Sequence, residues 1–305
     1  MSCSEIDLSK SAFVRLARRK TLACLEIRHP AFRADILLQG AQLLHFSPMG
    51  EDNWLWLSET ADYLPGVSVR GGIPVCWPWF GNADRNPAAV QSTMVSGAAL
   101  PAHGFARTVE WQLHDLYEAA DRIELTLGFS PEDRYAHLWQ GKADVKARWT
   151  FSRCGMQMEL ITRNLGATPL PFSQALHTYF PTADIHQTRL QGLNGCEYID
   201  TLQGWQRLQQ QGDVRFVAET DRICFAPSAQ PLTLISPQRR FTLRAENSHS
   251  CVVWNPWIAK SRRLGQFQPS AWQTMFCVET ANAADDHVML DVGGSHIMSL
   301  HLSRS

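Results

Sequence analysis

The sequence has no apolar run of about 18 residues or more, the length that an α-helix needs to cross a bilayer. It also has almost no net charge, because 28 Lys and Arg stand against 29 Asp and Glu. Such a balance gives no overall field to attract nucleic acid or an anionic membrane. The N-terminal region mixes acidic and basic side chains without an apolar core, which argues against a secretory signal. We therefore expect a cytoplasmic protein that binds neither nucleic acid nor membrane.

The sequence also lacks the short motifs of several enzyme classes. Its eight cysteines are scattered without a C-x-x-C pair, and its eleven histidines never stand at ligand spacing from a second histidine and a carboxylate. There is no glycine-rich phosphate loop, no H-E-x-x-H and no G-x-S-x-G. Nucleotide-dependent, zinc-protease and serine-hydrolase chemistry therefore have no local support, and we expect no metal and no other cofactor.

What the sequence does contain is a repeated alternation of apolar and polar residues. The pattern is clearest at residues 123–127 and 145–151 and recurs near residues 156–160, 232–234, 241–243 and 298–302. Turn residues separate these runs, and alternating β and α units are absent. Residues 258–267 are the best candidate for a short helix. The pattern predicts an all-β fold of large antiparallel sheets packed face to face.

Residues 82–100 interrupt this pattern with a polar stretch that contains Pro and Ala. Long loops of this kind in compact domains are usually functional or mobile. The stretch is typical of a surface loop, and the sequence leaves open whether it is a lid over a binding site or is disordered.

Five segments combine aromatic residues, Gly or Pro, and one or two ionisable residues: 69–81, 101–107, 175–180, 253–257 and 276–280. Aromatic rings suit the apolar faces of a pyranose, and single Arg, His, Asn and Glu side chains can orient its hydroxyls. Taken singly, Trp77 fits a core residue and His177 a hydrogen-bonded structural histidine. Glu279 is harder to explain structurally, because burying a carboxylate in an apolar strand is costly. The composition of the segments indicates a sugar site.

Together the motifs resemble the hexose-6-phosphate mutarotases (glucose-6-phosphate 1-epimerases), a branch of the aldose 1-epimerase superfamily. The resemblance runs from about Gln39 to near the C-terminus. Its pieces, in the family's order, are RGGIPVCWPWFG at 70–81, HGFAR at 103–107, LHTYF at 176–180, TDR at 220–222, VWNPW at 253–257 and CVETAN at 277–282. It implies one domain over residues 1–305 with a galactose-mutarotase-like super-sandwich fold. It also implies a monomeric, cofactor-free isomerase that interconverts the α and β anomers of a hexose 6-phosphate.

The resemblance also assigns roles to particular residues. His177 matches the family's catalytic acid and Glu279 its catalytic base. The residues implied to bind the substrate are Arg70, His103, Arg107, Asp221, Trp77 and Asn255. The preference for a phosphate rests on Arg70 and Arg107, because guanidinium groups match phosphate oxygens in a two-pronged geometry.

The chain departs from the family at two places, and two other functions stay open. Residues 82–100 lengthen the path to the HGFAR motif, and Gln266 stands where an acidic residue is more usual. The sequence assigns Lys260, Arg262 and Arg263 neither to phosphate nor to solvent. One alternative is a neutral aldose mutarotase with the same acid and base. The other is a non-catalytic carbohydrate-binding or sensing protein on the same fold.

Overall fold

Strands dominate the computed structural model, which describes residues 6–131, 133–226 and 230–305. In chain order the strands are β1 Val14–Arg19, β2 Leu22–His29, β3 Phe32–Leu37, β4 Leu43–Pro48, β5 Val75–Cys76, β6 Gln112–Glu118, β7 Arg122–Phe129, β8 Ala143–Ser152, β9 Gly155–Asn164, β10 Leu170–Phe172, β11 Gln174–Leu176, β12 Tyr179–Pro181, β13 Arg189–Gln191, β14 Glu197–Asp200, β15 Gln206–Gln209, β16 Val214–Arg215, β17 Thr220–Phe225, β18 Leu232–Ile235, β19 Arg240–Glu246, β20 Ser250–Asn255, β21 Met275–Asn282, β22 Val288–Leu290 and β23 Ser295–Arg304.

The helices are few and short. The α-helices of the described ranges are α1 Ala88–Gln91 and α2 Trp257–Ser261, and the 3-10 turns are Leu8–Lys10, Ala83–Arg85, Ala106–Thr108, Asp133–Tyr135, Ile185–Gln187, Ala271–Gln273 and Ala284–Asp286. No described helix has the length and apolarity needed to cross a membrane.

The strands form two large sheets and two smaller ones. The nine-stranded sheet has the order β16-β13-β18-β19-β23-β9-β8-β7-β6. The eight-stranded sheet has the order β15-β14-β17-β20-β21-β11-β5, and β12 also pairs with β21. Strands β1 to β4 form a third sheet, and β10 pairs with β22. The large antiparallel sheets confirm the predicted all-β architecture.

The sheets pack on one another through buried side chains, which alternate along each strand with accessible ones. Along β8, Val145, Ala147, Trp149 and Phe151 are fully buried, while the residues between them are accessible. Phe151 stacks on Phe46 of β4 at 5.6 Å, so the nine-stranded sheet packs on the sheet of β1 to β4. One apolar core contains residues of these two sheets and of the eight-stranded sheet. Burial on this scale is the main stabilising term of the fold.

The structure defines the two segments that the sequence predicts to lie outside the strands, residues 82–100 and 258–267. Residues 82–100 contain a 3-10 turn and α1, and Val90 of α1 is fully buried in the main core. Asn86 Nδ2 donates to the carbonyl oxygen of Phe80 at 2.9 Å. The stretch is therefore a folded loop that packs on the core. The helix expected within residues 258–267 is only α2, which begins earlier, at Trp257, and ends at Ser261.

Strand β21 lies inside the eight-stranded sheet and is buried along its whole length. Successive side chains of a strand point to opposite faces. Phe276 and Val278 accordingly belong to the main core, whereas Cys277, Glu279 and Ala281 face the other way. This second face of the sheet carries the site described next.

Candidate active site

A cleft opens on the face of the eight-stranded sheet that is turned away from the main core. Its volume is about 630 Å³, a size suited to a small-molecule ligand. The residues that line it are Arg70, Phe80, Gly81, Asn82, Arg85, Asn86, Ala102, His103, Arg107, His177, Tyr179, Thr201, Leu202, Trp205, Asp221, Ile223, Val252, Trp254, Lys260, Leu264, Glu279 and Ala284. The structure thus gathers six of the eight predicted site residues around one cavity.

The register of the sheet brings His177 and Glu279 together. Leu176, the last residue of β11, pairs with Thr280 of β21, and β12 pairs with β21 in the same register. That register places His177, which lies between β11 and β12, opposite Glu279. Directly opposed residues of antiparallel strands have Cβ atoms about 5 Å apart. The backbone N–H of His177 donates to the carbonyl oxygen of Pro74 at 3.0 Å and fixes this position.

The His177 and Glu279 side chains are close together, buried and incompletely hydrogen-bonded. His177 Nε2 lies 3.4 Å from Glu279 Oε1. The two residues are only 8% and 1% exposed. Within the described residues, His177 Nδ1 and Glu279 Oε2 have no hydrogen-bond partner. Because buried polar atoms are nearly always paired in folded proteins, the two free atoms mark a position for a ligand.

The surroundings shift the pKa values of this pair in opposite directions. Burial, together with the guanidinium groups of Arg107 and Arg70, lowers the pKa of His177 to about 3. Burial and the nearby Asp221 raise the pKa of Glu279 well above its ordinary value, against the opposing effect of Arg107. Desolvation is the largest effect on each group, so the surroundings disfavour the charged form of both side chains.

The next row of side chains on the same face forms one wall of the cleft. Asp221 pairs with Trp254, Trp254 with Cys277, and Cys277 with Tyr179 across β17, β20, β21 and β12. Lys260 Nζ lies 3.5 Å from Asp221 Oδ2 and 5.8 Å from the centre of the Trp254 ring. The wall therefore combines two aromatic rings with a carboxylate and an ammonium group, which suits a ligand with both apolar faces and hydroxyls.

Arg70 and Arg107 present guanidinium groups without carboxylate partners in the described ranges. Arg70 Nε donates to the carbonyl oxygen of Gly265 at 3.1 Å, and an Arg107 Nη donates to that of Ala102 at 2.7 Å. The cleft lining as a whole carries four basic side chains and two acidic ones. An arginine that is held by a carbonyl and lacks an acidic partner keeps further donors for an anion.

A strained turn carries His103 into the cleft. His103 and Gly104 both adopt left-handed backbone conformations, with φ of +65° and +66°. The backbone N–H of His103 donates to the Gly81 carbonyl oxygen at 2.7 Å, and the Gly81 N–H donates to His103 Nδ1 at 3.3 Å. A Cβ on Gly104 would lie 2.1 Å from the Trp77 carbonyl oxygen, so only glycine fits. Left-handed non-glycine residues are uncommon and often occur at functional sites.

Trp77 and Asn255, which were predicted to bind substrate, lie in the core instead. Trp77 is fully buried and packs on Phe105 and other rings of the core. Asn255 is also fully buried, and its Nδ2 donates to the carbonyl oxygens of Trp272 and Met275 at 2.9 and 2.8 Å. Asn255 thus holds the end of β20 against the turn before β21 and against the first residue of β21. Sequence composition alone could not show which face of the sheet these residues occupy.

Several lining residues were not predicted. The Tyr179 ring stacks on His177 at 4.7 Å, and the Arg85 guanidinium lies 5.4 Å from the centre of the Trp205 ring. Tyr179 could have been found, because it stands two residues after the predicted acid and alternation puts both on one face. Trp205 lies in a polar segment without a motif, and nothing in the sequence pointed to it.

A β super-sandwich with a histidine–carboxylate pair at the floor of a polar and aromatic cleft defines a carbohydrate isomerase of the mutarotase type. The sequence profile of the family described as Aldose 1-epimerase matches residues 23–303. The chain therefore belongs to the aldose 1-epimerase family, and it is an enzyme that acts as a mutarotase.

Relatives within this family agree with the fold and the class. A protein of Escherichia coli (strain K12), provisionally named glucose-6-phosphate 1-epimerase, is 34% identical over 92% of this chain and 91% of its own. A protein of Cenchrus ciliaris with the same provisional name is 29% identical over 81% of this chain and 74% of its own. The crystal structure of YeaD from Salmonella typhimurium, provisionally described as a mutarotase, superposes with a TM-score of 0.84. It is 26% identical and covers 97% of this chain and 95% of its own.

Proposed function

We propose that the protein interconverts the α and β anomers of a hexose 6-phosphate, with glucose 6-phosphate as the substrate, by acid–base ring opening and closure. The observation that carries this proposal is the side-by-side placement of His177 and Glu279 on the cleft floor, 3.4 Å apart. The relatives provisionally named glucose-6-phosphate 1-epimerase support the choice of substrate.

The chemistry requires two proton-transferring groups close to one carbon atom. A base takes the proton of the anomeric hydroxyl while an acid protonates the ring oxygen, and the bond between C1 and the ring oxygen breaks. Rotation about C1–C2 turns the aldehyde, and the reverse transfers close the ring on its other face. Because both oxygens are bonded to C1, the acid and the base must be neighbours. His177 as the acid and Glu279 as the base meet this requirement.

The charges of the pair also suit the reaction. An uncharged pair of imidazole and carboxylic acid contains the same number of protons as the imidazolium and carboxylate that ring opening needs. Moving one proton from Glu279 to His177 converts the first pair into the second. Hydrogen bonds from the anomeric hydroxyl to the carboxylate favour its charged form. Histidine can then donate and recover this proton in each direction of the reaction.

The basic side chains of the cleft account for a phosphate on the substrate. Arg70 and Arg107 keep free donors for phosphate oxygens, and their positive charges lower the pKa of His177. A phosphate bound between them would offset that effect and favour the imidazolium of His177. The phosphate of the substrate would in this way assist catalysis as well as binding. Its binding energy would help to lower the barrier to ring opening at C1, although the phosphate itself does not react.

The proposal is tested by measuring the rate of anomer exchange of equilibrated glucose 6-phosphate by NMR exchange spectroscopy. Glu279→Gln and His177→Asn remove the base and the acid with little change in shape. We expect each to reduce the enzyme-catalysed rate by about 10²–10⁴-fold, the usual contribution of a general acid or base. Circular dichroism and thermal unfolding verify that the variants are folded.

The chain offers a matched control pair on its outer surface. His301 Nε2 lies 3.9 Å from Glu246 Oε1 on the nine-stranded sheet, remote from the cleft. Glu246→Gln and His301→Asn should leave the exchange rate within about twofold of the wild-type rate. Near-normal rates in the folded Glu279→Gln or His177→Asn variant would refute the assignment. Faster exchange of free glucose than of glucose 6-phosphate would favour a neutral aldose mutarotase.

A further inference from the structure

The acid–base mechanism does not use the thiol of Cys277, a buried nucleophilic group beside the acid–base pair. Cys277 stands two residues before Glu279 on the same face of β21 and is fully buried. Ligand atoms of Cys277, His177 and Glu279 all lie within 4.8 Å of one another. No spacing in the sequence suggested this cluster, because His177 is about a hundred residues away and arrives through the pairing of β11 and β12 with β21.

We propose that these three side chains form a binding site for Zn²⁺ or a similar borderline divalent cation. Three protein ligands and one open position are the usual ligand set of an accessible zinc site, and the open position here would face the cleft. A thiolate and an imidazole select such a cation over Mg²⁺ or Ca²⁺, which prefer oxygen ligands. The proposed acid–base mechanism uses His177 and Glu279 themselves, so a cation bound to them would act as an inhibitor that competes with the sugar.

The geometry needs little adjustment to hold the ion. Zinc binds sulfur at about 2.3 Å and nitrogen or oxygen at about 2.1 Å, so tetrahedral ligand atoms lie about 3.4–3.6 Å apart. The 3.4 Å between His177 Nε2 and Glu279 Oε1 already fits. Because the three ligand atoms lie within 4.8 Å of one another, the thiol must approach the other two by at most about 1.2 Å to reach about 3.6 Å. The open position is reached from the cleft, which His177 and Glu279 line.

Two further observations favour a cation at this place. Glu279 Oε2 is buried and has no partner in the described ranges, so the carboxylate has unused capacity for a cation. A thiolate and a carboxylate together carry two negative charges, which balance a divalent cation beside a neutral imidazole. A loaded site with no net charge avoids much of the cost of burying an ion. On binding, the thiol and carboxyl protons leave to solvent.

Binding is tested with Co²⁺, whose complexes with thiolates absorb in the near ultraviolet, on the purified full-length protein. We expect one equivalent of Co²⁺ to give this band and Zn²⁺ to remove it by displacement. Cys277→Ala should abolish the band. Cys24→Ala, which deletes an equally buried thiol of β2 that does not line the cleft, should keep it. Absence of the band in the wild type, or its persistence in a folded Cys277→Ala variant, would overturn the proposal.

A second set of variants covers the case in which Cys277→Ala does not fold. His177→Asn and Glu279→Gln keep the thiol but remove a ligand, and each should weaken Co²⁺ binding at least tenfold. Unchanged affinity in both variants would likewise exclude the site. This test does not use enzyme activity, so its outcome is independent of the proposed function.

The inhibitory consequence rests on the proposed function and is measured separately. Zn²⁺ should slow anomer exchange competitively with glucose 6-phosphate, and EDTA should restore the rate. For each protein, the Zn²⁺ concentration that halves its own uninhibited rate is measured. This concentration should be at least tenfold higher for Cys277→Ala than for the wild type. A cobalt–thiolate band in a protein without exchange activity would keep the metal site and reject the function. Activity that Zn²⁺ does not affect would reject the inhibition.

Discussion

Replacing Arg107 by alanine tests whether its guanidinium group binds the phosphate of the substrate. Arg107 lines the cleft, is half-buried and has no carboxylate partner in the described ranges. A hydrogen bond to a charged group contributes about 1.5–3 kcal/mol, and about 1.4 kcal/mol corresponds to a factor of ten in affinity. Because solvent screens a half-buried group, we take the lower part of this range. The KM for glucose 6-phosphate should rise about 10–30-fold.

The informative comparison is between phosphorylated and free sugar. Free glucose has no phosphate, so its KM should change less than about threefold in Arg107→Ala. Both substrates are measured by NMR exchange spectroscopy over a range of concentrations, which separates kcat from KM. Arg107→Lys should recover part of the loss, because lysine keeps the charge but not the two-pronged geometry.

A matched control shows whether the loss is specific to the cleft. Arg148 of β8 is exposed and pairs with Glu159 at 3.1 Å on the nine-stranded sheet. Arg148→Ala should leave both KM values unchanged. Because Arg107 also donates to the Ala102 carbonyl oxygen, unfolding curves must show that Arg107→Ala keeps its fold. Equal increases of KM for glucose and glucose 6-phosphate in the folded variant would refute phosphate binding by Arg107.

Three further predictions concern stability and the placement of core residues. As the pH falls from 6.5 towards 3, the unfolded chain protonates His177, whereas the folded chain, in which its pKa is about 3, does not. Acid therefore destabilises the wild type through this histidine, and with EDTA present His177→Asn should lose less stability than the wild type over this pH range. Gly72→Ala should lower the free energy of unfolding by more than about 2 kcal/mol, because its φ is +64° and its Cβ would lie 2.1 Å from a carbonyl oxygen. Trp77→Phe should cost about 1–2 kcal/mol and leave the KM unchanged, because Trp77 is core.

Each of these three predictions has a control variant that is measured in the same assay. Thr150→Ser of β8 replaces no titrating group and should retain the wild-type dependence of stability on pH. Gly50→Ala, at φ +84° with no atom within 4 Å of the added Cβ, should cost only about 1 kcal/mol. Trp254→Phe changes a cleft wall and should raise the KM. The first argument is contradicted if His177→Asn loses as much stability in acid as the wild type does. The second is contradicted if Gly72→Ala and Gly50→Ala lower the free energy of unfolding equally, and the third if Trp77→Phe raises the KM.

The strands were predictable because the alternation of side chains in a half-buried strand is a local property. Val145 and Phe151 stand at fixed even spacing from each other, and both are buried on one face of β8 as expected. The helix after Asn255 was less predictable, because α2 is only one turn and follows from tertiary packing. The sequence predicts a surface loop at residues 82–100, and only the burial of Val90 shows that this loop packs on the core.

The candidate site was predictable in part, through the resemblance of its motifs to a known family. His177 and Glu279 followed from their motifs, but nothing in either motif states that one lies opposite the other. Trp77 and Asn255 belong to motifs of the site and nevertheless face the core. Motif membership brings a residue near a site, whereas the face that it occupies depends on strand pairing.

The sequence by itself determined that the chain forms antiparallel strands, because the alternation of apolar and polar residues is a local property of the chain. It also determined that the chain carries the residues of a sugar isomerase, because their motifs and the order of these motifs can be read directly from the sequence. Only the tertiary structure decided which side chains share the cleft. The register of β11, β12 and β21 sets His177 beside Glu279 and brings Cys277 next to both. The physical reason is that pairing between strands joins residues at any separation in the chain, and a shift by one residue would turn each side chain to the opposite face.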